Sequence, residues 1–222
     1  MQQLTKKPGA VEVIHRGTDV PEQVHVFAKL EIQAVNTALA ANRPLLLKGE
    51  PGVGKSQLAY AAAKALGRAI VAKTIDANTE AHHLLWHFDA VARLAEAQVQ
   101  GALLGGCADC REEIKKNIDA NLALDKFVYP QALWWALNWE NAARQAEKAN
   151  IDPPVQHKGY APQKGVVALI DEIDKADSHV PNGLLEALGA GSFKPFGLSE
   201  RVVSDGRSPL IVITTNDERR LP

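Results

Sequence analysis

Residues 49–56 read G-E-P-G-V-G-K-S and fit the spacing G-x-x-x-x-G-K-[ST]. That spacing has a chemistry. Backbone N–H groups can ring a phosphate only where side chains leave them clear, which the glycines provide. A helix starting beside Lys55 would aim its own unpaired N–H groups and dipole at the same anion. Lys55 adds a point charge for the β- and γ-phosphates, and the Ser56 hydroxyl can ligate Mg2+. The competing reading is a glycine-rich turn with no ligand. At average residue usage the four fixed positions match by chance in roughly one chain in a hundred of this length, so phosphate binding is the better account.

A second stretch, V-V-A-L-I-D-E-I-D-K-A-D at 166–177, ends an apolar run in two carboxylates, Asp171 and Glu172. At the C-terminal edge of a strand in an open α/β sheet, such a pair faces the place where ligands sit. Asp171 could hold Mg2+ through its water shell, and Glu172 could orient or deprotonate an attacking water. Asp174 and Asp177 read as helix-start or surface charges. A third stretch, L-I-V-I-T-T-N-D-E-R-R-L-P, carries Asn216 just beyond another apolar run. A neutral amide there could hold the water near a γ-phosphate without adding charge, although Asn is also favoured at any strand-to-turn transition.

These groups need elements to position them. Residues 44–48 form a short apolar run expected to be a buried strand, and 56–66 an alanine-rich helix capped by Gly67. Residues 69–75 read as a second strand, 166–170 as a strand buried on both faces, 181–188 as a helix and 210–214 as a last strand. Apolar residues from Val24 to Leu39 fall near helical spacing and predict an amphipathic helix. Strands alternating with helices imply an α/β fold, a parallel sheet with helices on both faces. Residues 1–23 read as a loosely attached arm, and 82–160 as a long, mostly helical insertion within a domain spanning 24–222. Residues 192–205 could form a hairpin.

Composition bounds the remainder. With 25 basic and 26 acidic residues and a net charge of −1, there is no electrostatic footprint for nucleic acid or an anionic membrane. No apolar run approaches the roughly 20 residues that span a bilayer, and the first residues lack a signal-peptide core, so a cytoplasmic protein is expected. Cys107 and Cys110, with His83 and His87 expected one helical turn apart, could supply four zinc ligands. A surface loop in a reducing compartment is preferred, because no second C-x-x-C exists. Trp134, Trp135 and Trp139 read as core, with a docking surface as the alternative. Pro195-Phe196-Gly197 is a tight turn or a tip that grips a protein.

Together the three stretches resemble the AAA+ ATPases, and more closely their MoxR-like branch. The resemblance rests on GEPGVGKS, ALIDEIDKADSHVPNGLLEALGAGSF and IVITTNDERRLP. It implies ATP and Mg2+ as ligands and a P-loop NTPase core. Gly49, Glu50, Pro51, Gly52, Val53, Gly54, Lys55, Ser56 and Gln57 would bind nucleotide, the first eight of them as the Walker A loop. Residues 167–172 would be Walker B, Ser56 and Asp171 the Mg2+ ligands, and Asn216 sensor 1. Lys55, Glu172 and Asn216 would be the catalytic residues. The family carries an insertion in its second helix and a hairpin before the sensor-1 strand, for which 82–160 and 192–205 have suitable positions. Its arginine finger and helical lid come after sensor 1, whereas this sequence ends at Pro222; Arg219 and Arg220 lie too early to be assigned as the finger. The resemblance further implies a homo-oligomeric ring that remodels or loads a client protein, with a von Willebrand A domain protein as a partner. The alternative is an ATP-binding switch or assembly subunit with little hydrolysis. A small-molecule kinase would not explain Asp171, Glu172 and Asn216 together, and the N-K-x-D base-reading motif of GTPases is absent.

Overall fold

A computed structural model describes residues 2–15, 21–104, 118–177 and 179–216. Along the chain the elements are β1 (Val11–Ile14), β2 (Gln23–Val26), α1 (Lys29–Ala41), β3 (Leu45–Lys48), α2 (Lys55–Leu66), β4 (Arg68–Thr74), β5 (Trp86–Phe88), α3 (Ala90–Leu104), β6 (Val128–Pro130), α4 (Ala132–Leu137), α5 (Trp139–Lys148), β7 (Ala161–Asp171), α6 (His179–Ala190), β8 (Ser192–Phe193), β9 (Val202–Val203) and β10 (Leu210–Thr215). Uninterrupted apolar runs such as Val166–Ile170 have no polar face to turn to water, so they must be covered on both sides. They form a four-stranded parallel sheet in the order β3-β10-β7-β4.

The two-residue period of the strands divides the core. Val167 and Leu169 of β7, Ile70 of β4, and Leu210 and Val212 of β10 join one cluster with α1 and α2. Val166, Ala168 and Ile170 of β7, Ala69 and Val71 of β4, and Ile211 and Ile213 of β10 join the other, with the tryptophans of α4. Small residues let α2 lie close to the sheet: Ala59, Ala61, Ala62 and Ala63 are fully buried. The helix stops at Gly67, whose φ of 64° is a conformation that disfavours a side chain.

Trp134 is the largest fully buried side chain, and its Nε1 donates to Asn141 Oδ1 at 2.8 Å. Its ring meets Phe193 edge-on, and Phe193 stacks on Trp86. The tryptophan segment is therefore core, as the sequence suggests. Trp134→Ala should destabilise the protein by about 3–5 kcal/mol through lost burial and the cavity left behind. A melting temperature lowered by about 10 °C is the expected result.

The opening residues are packed rather than loosely attached: Leu4 and Ile14 are buried, β1 pairs antiparallel with β2, and the Asn36 side chain bonds both backbone groups of Leu4. The helix predicted from Val24 starts only at Lys29, because residues 23–26 alternate between outside and inside as β2. Glu31 fixes that start by accepting the Ala28 N–H at 2.7 Å. The described residues of 82–160 are mainly helical but contain an antiparallel pair, β5 with β6. His87 lies on β5, so His83 and His87 are not a helical turn apart, and their rings stand 6.0 Å from each other. Cys107 and Cys110 fall outside the described residues, among which no group of three His, Cys, Asp or Glu residues could hold a metal. Residues 192–193 and 202–203 pair antiparallel, and Pro195 accepts the Leu198 N–H across a turn in which Phe196 is exposed. Among the described residues no helix is long and apolar enough to cross a membrane.

Candidate active site at the strand tips

The parallel sheet brings the C-terminal ends of β3, β7 and β10 to one edge, and the three sequence stretches meet there. The loop after β3 reverses at Gly52 (φ 82°) and Gly54 (φ 90°), both in a region that side-chain-bearing residues rarely adopt. It delivers Lys55 and Ser56 at the start of α2. The Lys55 ammonium donates to the carbonyls of Gly49 and Glu50, each at 2.7 Å, and to Asn216 Oδ1 at 2.9 Å. Ser56 Oγ donates to the Asp171 carboxylate, with distances of 2.7 and 2.9 Å to its two oxygens.

The tips of β7 and β10 are cross-linked. The Thr214 hydroxyl donates to Asp171 Oδ1 at 2.5 Å and accepts the Glu172 backbone N–H at 3.0 Å. One hydroxyl thus fixes both carboxylate-bearing residues. Glu172 itself has φ 62° and ψ 47°, left-handed backbone in which an L-residue is strained by about 1–2 kcal/mol. Such strain clusters where a side chain must be aimed at a ligand. The Glu172 carboxylate pairs with Lys175 Nζ at 2.6 Å. Thr214→Val keeps the shape of the side chain but removes the bridge. It should cost about 1–3 kcal/mol of stability by leaving the Glu172 N–H unsatisfied, read as a lower melting temperature.

Of the two expectations for Asp174, the helix start holds, since it lies in the first turn of the 3-10 helix Ile173–Lys175, and the surface does not: it is 3% exposed and accepts the Asn216 backbone N–H at 3.1 Å. Burial pushes its pKa up. Hydrogen bonds from the Asn216 backbone, its own backbone and the Thr215 side chain, with the charge of Lys175, outweigh that and hold it below the ordinary aspartate value. Asp177 is exposed, and its carbonyl accepts the Val180 N–H at the entrance to α6, as a helix-start residue would.

The groups surround a cleft of about 260 Å³ lined by Pro51, Gly52, Gly54, Lys55, Ser56 and Gln57 from the loop and by Asp171, Glu172, Thr214 and Asn216 from the strand tips. Of the nine loop residues expected to bind nucleotide, Gly49, Glu50 and Val53 do not line it; Val53 is exposed, and the first two face Lys55 through their carbonyls. Gln23 of β2 also lines the cleft and accepts from the Gln57 amide at 3.2 Å, a contact no local pattern announces. Arg219 and Arg220 lie outside the described residues.

The donor set fits a Mg2+-nucleotide. A hydroxyl and a carboxylate already share one position, an ammonium stands beside them, and a glycine-turned loop leads into a helix N-terminus.

The model of the AAA domain, dynein-related subfamily, matches residues 44–220, from the phosphate-loop strand past Asn216. No curated protein matches the chain. A solved structure of a proposed ATPase from Cytophaga hutchinsonii matches at 11% identity and a TM-score of 0.41, covering 86% of this chain and 38% of its own. The chain spans well under half of that protein's length. With a parallel sheet flanked by helices, a phosphate-type loop after its edge strand, and a family model matched along most of its length, the chain belongs to the AAA domain family, dynein-related subfamily.

Proposed function

We propose that the protein binds ATP and hydrolyses it with Mg2+. The observation that carries this reading is the convergence of Lys55, Ser56, Asp171, Glu172 and Asn216 on one cleft from three separate strand tips. Ser56 and Asp171 would hold Mg2+, which when bound supplies positive charge to the β- and γ-phosphate oxygens. Lys55 would exchange its carbonyl partners for phosphate oxygens, and the loop N–H groups would take the remaining charge. Asn216 would then hold a water against the γ-phosphorus while Glu172 accepts its proton. The new O–P bond forms as the bond to the β-phosphate oxygen breaks, and ADP leaves with that electron pair. For Glu172 to act, its carboxylate must give up part of its contact with Lys175. That pair is partly exposed, so the exchange costs little.

The MoxR-like resemblance extends the proposal to a homo-oligomeric ring that remodels or loads a client protein, with a von Willebrand A domain protein as a partner. A second reading, an ATP-binding switch that turns over slowly, is favoured by one observation, the engagement of Lys55 by Asn216, which ties up the amide proposed to hold the water. Thermal melting separates nucleotide binding from its absence. Mg-ATP at about 100 times its Kd should stabilise the protein by about 2.7 kcal/mol, and EDTA should remove much of the gain. A melting temperature indifferent to Mg-ATP would contradict both readings, and sustained phosphate release would favour the first.

A further inference from the structure

We infer that Asp174 is a positioning residue for Asn216, a role that rests on the proposed reading of Asn216 as the amide beside the γ-phosphate. Asp174 is 3% exposed, and one of its two carboxylate oxygens, Oδ1, takes the Asn216 N–H while Oδ2 is buried without a hydrogen-bond partner among the described residues. A buried carboxylate holds a donor more firmly than a neutral or solvated acceptor. Its partner is the Asn216 backbone N–H, 42 residues away in sequence, at the point where β10 ends. That bond orients the peptide plane from which the Asn216 side chain projects. The projection is what puts Asn216 Oδ1 2.9 Å from Lys55 Nζ.

The anchor is itself rigid. Asp174 sits in the 3-10 turn Ile173–Lys175, closed by the Lys175 N–H on the Glu172 carbonyl at 3.0 Å and the Ala176 N–H on the Ile173 carbonyl at 3.2 Å. Glu172 opens the same turn. One short turn therefore sets both groups proposed to handle the water: Glu172 by covalent continuity and Asn216 through Asp174. Thr214 makes the reciprocal tie, from β10 back to Asp171 and Glu172. An aspartate that merely capped a turn would have no reason to reach the tip of another strand.

The test compares D174A, D174N, N216A and the double variant D174A/N216A in the full chain, measuring Mg-ATP turnover, nucleotide Kd and the backbone amide resonance of Asn216 in protein labelled with 15N-asparagine. D174A should lower turnover about 10- to 100-fold, as a small misplacement of a reacting group does, with Kd changed less than about 3-fold on the same grounds. D174N should recover most of the activity, since its amide oxygen can still accept the N–H. The double variant should be no slower than N216A, because Asp174 acts through Asn216. Losses that add, or a D174A enzyme as fast as wild type, would overturn the proposal. If D174A fails to fold, D174N and the resonance decide. An Asn216 amide proton that moves upfield in D174N, toward weaker hydrogen bonding, supports the proposal, and one that does not move sinks it. The resonance needs no hydrolysis, so a wild-type protein that releases no phosphate would count against the ATPase reading while leaving the Asp174–Asn216 link to be judged by that shift.

Discussion

Lys55→Ala should remove most of the stabilisation of the protein by Mg-ATP. Among the described residues lining the cleft, Lys55 is the cation, and its ammonium is held there by two loop carbonyls and Asn216. A charge-assisted hydrogen bond contributes about 1.5–3 kcal/mol, and phosphate would lose more than one of them. A nucleotide affinity weakened about 100-fold lowers the stabilisation at a fixed ATP concentration from about 2.7 to about 0.4 kcal/mol. The fold should survive, because the removed contacts hold only the loop and the tip of β10. Differential scanning fluorimetry with and without Mg-ATP reads both. A variant stabilised as strongly as wild type would remove the loop from the binding site.

Glu172→Gln should have the opposite profile, with binding kept and turnover lost. The amide has the same shape and faces the same left-handed backbone, but it cannot take a proton from water. Loss of a general base lowers the rate about 10²- to 10⁴-fold, or roughly 3–5 kcal/mol in the barrier. The variant also exchanges the ion pair with Lys175 for a hydrogen bond to a neutral amide oxygen, but that pair is partly exposed, so stability should change by no more than about 1 kcal/mol. Single-turnover hydrolysis beside a nucleotide titration separates the two effects. Equal rates would move the base to another carboxylate, for which Asp174, 3% exposed, is poorly accessible to a water in the cleft.

The parts of the site that were legible in the sequence are those whose chemistry is local. The phosphate loop announces itself because glycine, lysine and serine must be consecutive to shape one turn and open one helix. Asp171, Glu172 and Asn216 are legible because they follow apolar runs that form the inner strands β7 and β10, whereas the similar run at 45–47 forms the edge strand β3, with Leu46 49% exposed rather than buried as its composition suggests. The burial of Asp174 is illegible for the complementary reason. An aspartate three residues past a strand is ordinarily solvated, and the donor that makes its burial tolerable lies 42 residues downstream. Thr214 was seen only as part of a strand end, since its two partners belong to another strand. The opening residues looked unattached because what ties them down is distant: Leu4 bonds Asn36, and Gln2 bonds the Leu66 carbonyl and Arg68. β5 and β6 are three residues each and separated by more than a helix, too short for alternation to register.

The account stands most directly on phosphate release from Mg-ATP, followed in parallel for wild type, Glu172→Gln and wild type with EDTA across a range of protein concentrations. It predicts release by the wild type that EDTA stops and that the variant lowers about 10²- to 10⁴-fold while still being stabilised by Mg-ATP. A rate per chain that rises with concentration would accord with assembly into a ring. Release that persists in EDTA, or that is equal in Glu172→Gln and wild type, would contradict the account.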